Sequence, residues 1–125
     1  MQITRLPRFT ASLAIVISLL VSTTSCSWRN TGELIIVNSS GEDIKKCSVE
    51  LSGTTVDVND IKAGSRSKIQ FSVVRDAHYA VTIDFVDGRQ LQQQVGYVTP
   101  GFDYKDTIQI HRDRVEFIPG TIQKP

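Results

Sequence analysis

The chain after its first 32 residues predicts an all-β fold, namely a small antiparallel β-sandwich. Three observations predict it. Apolar and polar residues alternate with period 2 in successive segments, whereas helical periodicity is missing. Turn-forming residues separate these segments. About eight such segments recur with a spacing of roughly 8–12 residues, which is typical of sandwiches.

The strands are predicted in chain order from this alternation. They cover residues 33–38, 44–51, 55–59, 68–73, 78–85 and 91–98, followed by short strands around Ile108 and Val115. The first is a continuous apolar run, which predicts cover on both faces. The fifth is the clearest, because its apolar residues all point one way: Tyr79, Val81, Ile83 and Phe85. In the sixth, a common face is predicted for Leu91, Val95 and Tyr97.

Turn chemistry sets the boundaries of the domain. Asp87-Gly88, between two alternating segments, is the strongest hairpin signal in the chain. We expect a linker at residues 26–32, the sandwich at 33–118 and a C-terminal tail at 119–125. An immunoglobulin-like form is compatible with the strand spacing, but Trp28 lies outside the Cys…Trp…Cys pattern of a true immunoglobulin domain.

Composition and charge exclude two broad classes of protein. The chain has 14 basic and 13 acidic residues and a formal charge of +1. Nucleic acid is therefore not expected as a partner, because phosphate binding needs a basic surplus. With 40% hydrophobic and 22% charged residues, the composition is that of a globular protein rather than a disordered one.

Residues 1–25 have the three parts of a secretory signal. Arg5 and Arg8 precede the apolar run of residues 9–21, and the small polar residues 22–25 follow it. An uncleaved membrane anchor is the alternative, although the apolar run is shorter than the roughly 20 residues that a spanning helix needs.

The end of this segment resembles a bacterial lipoprotein signal. Ser25-Cys26 matches the junction at which the cysteine thiol receives lipid and becomes the new N-terminus. Thr23 departs from the pattern, which usually has an aliphatic residue there. The resemblance covers residues 1–26 only. It implies lipid attachment, such as palmitate, at Cys26, and Ser27 resembles a context for sorting to the outer membrane.

The cysteine count leaves a second interpretation open. The only cysteines are Cys26 and Cys47. If Cys26 is not lipidated, an exported protein could join the two in a disulfide. Otherwise Cys47 is expected to be a buried apolar residue, as its phase in the second strand indicates. Trp28 could rest at the lipid interface or pack on the first strand.

Residues arranged for catalysis or metal binding are scarce in the sequence. His78 and His111 fall on the polar faces of different strands, and no third metal ligand accompanies them. Neither a nucleophile elbow nor a phosphate-binding glycine loop is present in the sequence. The segment 57–60 (DVND) begins like a calcium loop but continues with Ile61. We therefore expect no cofactor, no metal and no enzyme activity.

The remaining acids are predicted to have a local role. Asp84 with Asp87, and Asp103 with Asp106, are pairs beside turns, where carboxylates cap the turn or keep an edge soluble.

One segment could anchor a protein partner. Tyr97, Phe102 and Tyr104 surround the turn at Thr99-Pro100-Gly101. Aromatic side chains on a loop held by rigid strands are typical of interface anchors. The alternative is that one or two of them fold back and plug the open end of the sandwich. The three glutamines at 92–94 indicate a polar strand surface.

Together these observations predict a non-catalytic envelope lipoprotein. Its lipid would hold it at the membrane, outer rather than inner, facing the periplasm or the exterior, where it would bind a protein partner or support an assembly. The alternative is a soluble periplasmic or secreted inhibitor or immunity-type protein with a Cys26–Cys47 disulfide.

Overall fold

The computed structural model describes residues 31–120 and 122–123, which form two facing β-sheets. The predicted signal segment, Cys26 and Trp28 lie outside these residues. The strands are β1 Thr31–Asn38, β2 Ile44–Leu51, β3 Thr54–Ile61, β4 Arg66–Ser72, β5 Ala77–Phe85, β6 Gln90–Val98, β7 Asp103–Ile110, β8 Val115–Ile118 and β9 Ile122–Gln123. One sheet has the order β4-β1-β7-β8 with β9 paired to β7, and the other has the order β3-β2-β5-β6. The predicted all-β sandwich is confirmed.

The pairing of the strands departs from a purely antiparallel arrangement at one place. β1 runs parallel to β7, with Gly32 opposite Tyr104 and Ile36 opposite Ile108, whereas the other pairs in the described part are antiparallel. β1 and β2 also lie in different sheets. In the immunoglobulin constant-type order the first two strands share a sheet, so the strand order here is a different one.

The inner faces of both sheets make one core. All four alternating residues of β5 are buried, as predicted, and so are Cys47, Val49 and Leu51 of β2. In β1, Leu34 and Ile36 point into this core. Ile35, on the other face, is only half-buried. The predicted cover on both faces of β1 is therefore incomplete at Ile35.

β1 begins at Thr31, two residues before the predicted start of the domain. Gly32 permits this extension. The ring of Phe71, directly opposite on β4, occupies the space that a Cβ at Gly32 would need. The aromatic ring thus covers the bare backbone of the glycine, and the antiparallel ladder continues to Thr31 opposite Ser72.

The tightest hairpin is not the one with the strongest sequence signal. Ser52 and Gly53 have φ values of 52° and 83° and join β2 to β3 as a two-residue turn. Positive φ at both positions is what a type I′ turn requires. Asp87-Gly88 does connect β5 and β6, as predicted, but within a four-residue connection, 86–89.

A β-bulge at Gly96 changes the phase of β6. Tyr79 pairs with Val95 and Ala77 with Val98, so Gly96 and Tyr97 together stand opposite the single residue between them on β5. Gly96 has a φ of 67°, as the first residue of a glycine bulge does. The predicted common face of Leu91, Val95 and Tyr97 is therefore wrong for Tyr97, which turns outward.

Ile122–Gln123, within the segment expected to be a tail, forms β9 and pairs with Asp103 and Tyr104 of β7. In the described part of the chain, no helix is long and apolar enough to cross a membrane.

Candidate functional site

The predicted aromatic segment lies at the end of the sandwich where β1 begins. The parallel pairing sets Thr31 beside the start of β7, and its hydroxyl donates a hydrogen bond to Oδ1 of Asp103 over 3.1 Å. We call this the N-terminal end; it carries the connections 52–53, 73–76 and 99–102. The opposite, far end carries the connections 39–43, 62–65, 86–89 and 111–114.

Tyr104 points inward and closes the 99–102 connection. Only 6% of the residue is exposed. Its hydroxyl accepts a hydrogen bond from the amide of Thr99 at 2.9 Å and donates one to the Thr99 carbonyl at 3.1 Å. Tyr104 therefore ties the loop to the core and presents no exposed ring to a partner.

Phe102 also leans toward the core. It is partly buried against the core cluster, and its ring lies 6.4 Å from that of Tyr104 in an edge-on arrangement. The sequence left two interpretations open for these aromatic residues. The one in which they fold back and plug the end of the sandwich applies to the buried Tyr104 and to the partly buried Phe102.

Tyr97 is the exposed member of the three, with 54% of its surface accessible. Its hydroxyl donates to Oδ2 of Asp76 at 2.6 Å, and the Thr99 hydroxyl donates to Oδ1 at 2.6 Å. These two bonds stabilise the carboxylate and hold the pKa of Asp76 below its ordinary value. The same bond to Asp76 raises the pKa of Tyr97, because ionisation would remove the donated proton.

The imidazole of His78 packs beside Tyr97. The two rings lie 5.4 Å apart, and Nδ1 of His78 donates to the carbonyl of Gly96 at 2.5 Å. This hydrogen bond from β5 stabilises the bulge in β6 that turns Tyr97 outward. His78 is exposed on the outer face, as the sequence predicted.

The connection between β4 and β5 completes the N-terminal end. Val74 is 67% exposed at its tip. Arg75, the next residue, is held by contacts of both its backbone and its side chain. The Ser52 hydroxyl donates to the Arg75 carbonyl at 3.1 Å, and the Arg75 guanidinium lies over Gly53. An apolar side chain and an exposed tyrosine thus stand on rigid supports at one end of the molecule.

The local role predicted for the acid pairs is wrong for Asp106. It is buried, with 3% exposed, rather than capping a turn or keeping an edge soluble. Oδ2 accepts a hydrogen bond of 2.7 Å from the Tyr79 hydroxyl across the sandwich, and Oδ1 accepts one of 3.2 Å from the amide of Gly120. Burial, and then this bond to Asp106, raise the pKa of Tyr79. The signal was in the alternation, since Asp106 shares its phase with Tyr104 and Ile108.

Asn38, at the end of the first predicted strand, is a second buried polar residue in the described part of the chain. Its amide nitrogen donates to the carbonyls of Glu42 and Ile61 at 2.7 and 2.9 Å. Its side-chain oxygen accepts bonds from the amide and hydroxyl of Ser40. The residue joins the end of β1 to the end of β3, and its role is structural.

A cluster of charged residues closes the far end, and no sequence motif predicted it. Nη2 of Arg89 lies 2.9 Å from Oε2 of Glu42, and its other terminal nitrogen donates to the carbonyl of Arg112. The guanidinium also lies 4.3 Å from the centre of the Phe85 ring. These contacts join three connections to one another.

Gln93 points inward, unlike its two neighbours. Its amide nitrogen donates to the Val115 carbonyl and its oxygen accepts from the Val115 amide, both at 2.8 Å. One side chain thus substitutes for a strand pairing and joins the edges of the two sheets. Gln92 and Gln94 are exposed, which agrees with the polar surface expected for β6.

Cys47 is a free thiol with no exposed surface. Burial, reinforced by the charge of Asp57, raises its pKa to about 12. This confirms the expectation of a buried apolar residue. Cys26, the predicted site of lipid attachment, lies outside the described residues.

The residues considered for metal binding are held apart. The 57–60 segment is part of the extended strand β3 rather than a loop. His111 is paired with Glu116, with 2.8 Å between Nε2 and Oε2. Within residues 31–120 and 122–123, no three His, Cys, Asp or Glu side chains come together as a metal site would require.

Comparison with known proteins supports the fold and no more. No protein-family model matches the chain, and no curated protein matches it. It is similar to a protein from Eubacterium rectale solved by NMR, with 15% identity and a TM-score of 0.59 over 75% of this chain and 94% of that one. A non-hemolytic pneumolysin from Streptococcus pneumoniae strain ST306 also matches, with 15% identity and a TM-score of 0.42 over 73% of this chain and 24% of that one. At these identities the likeness to the first protein is one of fold, and a TM-score as low as the second carries no argument.

Proposed function

We propose that the chain is a non-catalytic envelope lipoprotein. A lipid on Cys26 would hold the β-sandwich at a membrane, where it binds another protein or supports an assembly. The proposal rests on the signal-like residues 1–26, which end at Ser25-Cys26.

The start of β1 also supports this proposal. Thr31 lies five residues after Cys26, so the chain between them can span about 18 Å at most. β1 thus lies within a few residues of the predicted lipid site along the chain. Such a spacing suits a domain that is held close to a bilayer.

Cys47 supports the lipid over the disulfide. Its thiol lies in the core, and a bond to Cys26 would require the sulfur to leave its apolar surroundings or the sheet to open. The alternative of a soluble, disulfide-stabilised inhibitor therefore has less support.

Metabolic labelling with an alkyne fatty acid in a Gram-negative host tests the proposal. The wild-type protein should carry the label and sediment with membranes. Cys26→Ala should lose both properties and remain folded, because position 26 precedes β1. Cys47→Ala is the matched control, since it removes the other thiol and should keep the label. A wild-type protein that is soluble and has an unmodified Cys26 would contradict the proposal.

Sorting gives a second readout. Ser27→Asp should move the labelled protein from the outer to the inner membrane in sucrose-gradient fractions. An unchanged distribution would remove the assignment to the outer membrane while leaving the lipid itself in place.

A further inference from the structure

We propose that the N-terminal end of the sandwich rests on the lipid headgroup layer, with Val74 and Tyr97 as its contacts. This inference rests on the proposed lipidation of Cys26 and adds an orientation to it. The occupant of the surface is the bilayer itself.

Chain length restricts how far this end can move from the membrane. The lipidated residue would lie in the bilayer surface, and Thr31 can be no more than about 18 Å from it. Thr31 is bonded to Asp103 at the start of β7, so the whole end formed by the connections 52–53, 73–76 and 99–102 is held near the membrane with it. The far end is separated from it by the length of the strands.

The exposed side chains at this end suit an interface between lipid and water. Val74 is 67% exposed and apolar. Tyr97 has an apolar ring and a polar hydroxyl, and tyrosine is enriched at headgroup depth in membrane proteins. Arg75, beside Val74, offers a guanidinium suited to lipid phosphate. All three are in the 73–76 connection or bonded to it, because Tyr97 donates to Asp76.

The charged residues at the N-terminal end indicate how strongly it would bind a membrane by itself. The charged residues of the described chain at this end are four acids and two bases, namely Glu33, Glu50, Asp76, Asp103, Arg75 and Lys105. Because the acids outnumber the bases, anionic lipid should not attract this end by charge. One valine and one tyrosine would also bind a bilayer weakly by themselves. Contact is therefore expected only when the lipid on Cys26 raises the local concentration of membrane.

Two valines provide a matched pair of reporters. Val74 at the N-terminal end and Val86 at the far end are 67% and 65% exposed. Val74→Cys and Val86→Cys can each be labelled with an environment-sensitive fluorophore in the lipidated protein. The buried Cys47 should not react, and Cys26 would be blocked by its lipid.

The labelled lipoproteins are then reconstituted into vesicles of phosphatidylethanolamine and phosphatidylglycerol. The emission of the label at position 74 should shift to shorter wavelength and be quenched by lipids that carry a nitroxide in the headgroup. The label at position 86 should keep its aqueous spectrum. Insertion of a flexible 20-residue Gly/Ser segment before Thr31, with a mean span of about 25 Å, should restore the aqueous spectrum at position 74.

Each other outcome has a definite meaning. A vesicle-bound, lipidated protein with an aqueous label at position 74, or with equal quenching at both positions, overturns the orientation and leaves the proposed function intact. A label that is shielded at position 74 without quenching by lipid overturns it as well, since a protein would then occupy this end. An intact mass without lipid on Cys26 contradicts both proposals.

Discussion

Tyr79→Phe removes one hydroxyl from the centre of the sandwich and tests a buried polar contact between the two sheets. The Tyr79 hydroxyl donates to Asp106 at 2.7 Å, and neither residue is more than 3% exposed. The ring itself stays in place in the variant, packed at 5.5 Å from Phe71 and 5.9 Å from Phe117. Any loss of stability therefore reports the bond and not a cavity.

The expected cost follows from the kind of bond. A hydrogen bond to a charged group contributes about 1.5–3 kcal/mol, and a buried carboxylate that loses a donor also keeps its desolvation penalty. Among the described residues, the amide of Gly120, at 3.2 Å, is the donor that would remain on Asp106. For a domain of this size the loss corresponds to a decrease in Tm of roughly 6–24 °C.

Tyr104→Phe is the matched control. Within the described part of the chain its hydroxyl bonds to the neutral backbone of Thr99, so its removal should cost about 0.5–1.5 kcal/mol. Urea unfolding of Tyr79→Phe, Asp106→Asn and the double variant would give the coupling energy between the two side chains. A coupling below about 0.5 kcal/mol, or equal losses in the two tyrosine variants, would refute the argument that this bond joins the sheets.

Three further outcomes are expected of the domain. Val81→Asp should lower the free energy of unfolding by about 4 kcal/mol or more, whereas Thr82→Asp on the outer face should cost about 0.5 kcal/mol; equal tolerance in urea unfolding would mean that the phase of β5 is misassigned. Cys47 should react with maleimide only after denaturation, because its thiol is buried and its pKa is raised to about 12, and fast labelling of the native protein would contradict this. Gly96→Ala should lower Tm more than Gly88→Ala, since both have positive φ but only at Gly96 would a Cβ lie 2.8 Å from an aromatic ring; equal decreases would exclude close packing at the bulge.

Much of the strand pattern follows from local alternation. The inward faces of β2 and β5 were predictable because a strand with one buried face must repeat every two residues. The same rule failed at Tyr97, since a bulge at Gly96 adds one residue and reverses the phase. A glycine within an alternating segment was the available warning.

The candidate site was predictable in part. The clustering of aromatic residues around Thr99-Pro100-Gly101 was evident in the sequence, and so was the possibility that they close the sandwich. Which ring is exposed depends on the bulge at Gly96, which turns Tyr97 outward, whereas Tyr104 is buried. The exposure of Val74 could not be inferred, because exposure at a chain reversal depends on what packs beneath it.

The sequence by itself determined the fold class, the buried position of Cys47 and the likeness of residues 1–26 to a lipoprotein signal. All three are local properties, set by the order of residues within a segment. Only the tertiary structure decided the parallel pairing of β1 with β7, the burial of Asp106 beneath Tyr79, and the nearness of Thr31 to the exposed Val74 and Tyr97. Each of these joins residues far apart in the chain, and such contacts depend on how two sheets pack, which no single segment encodes.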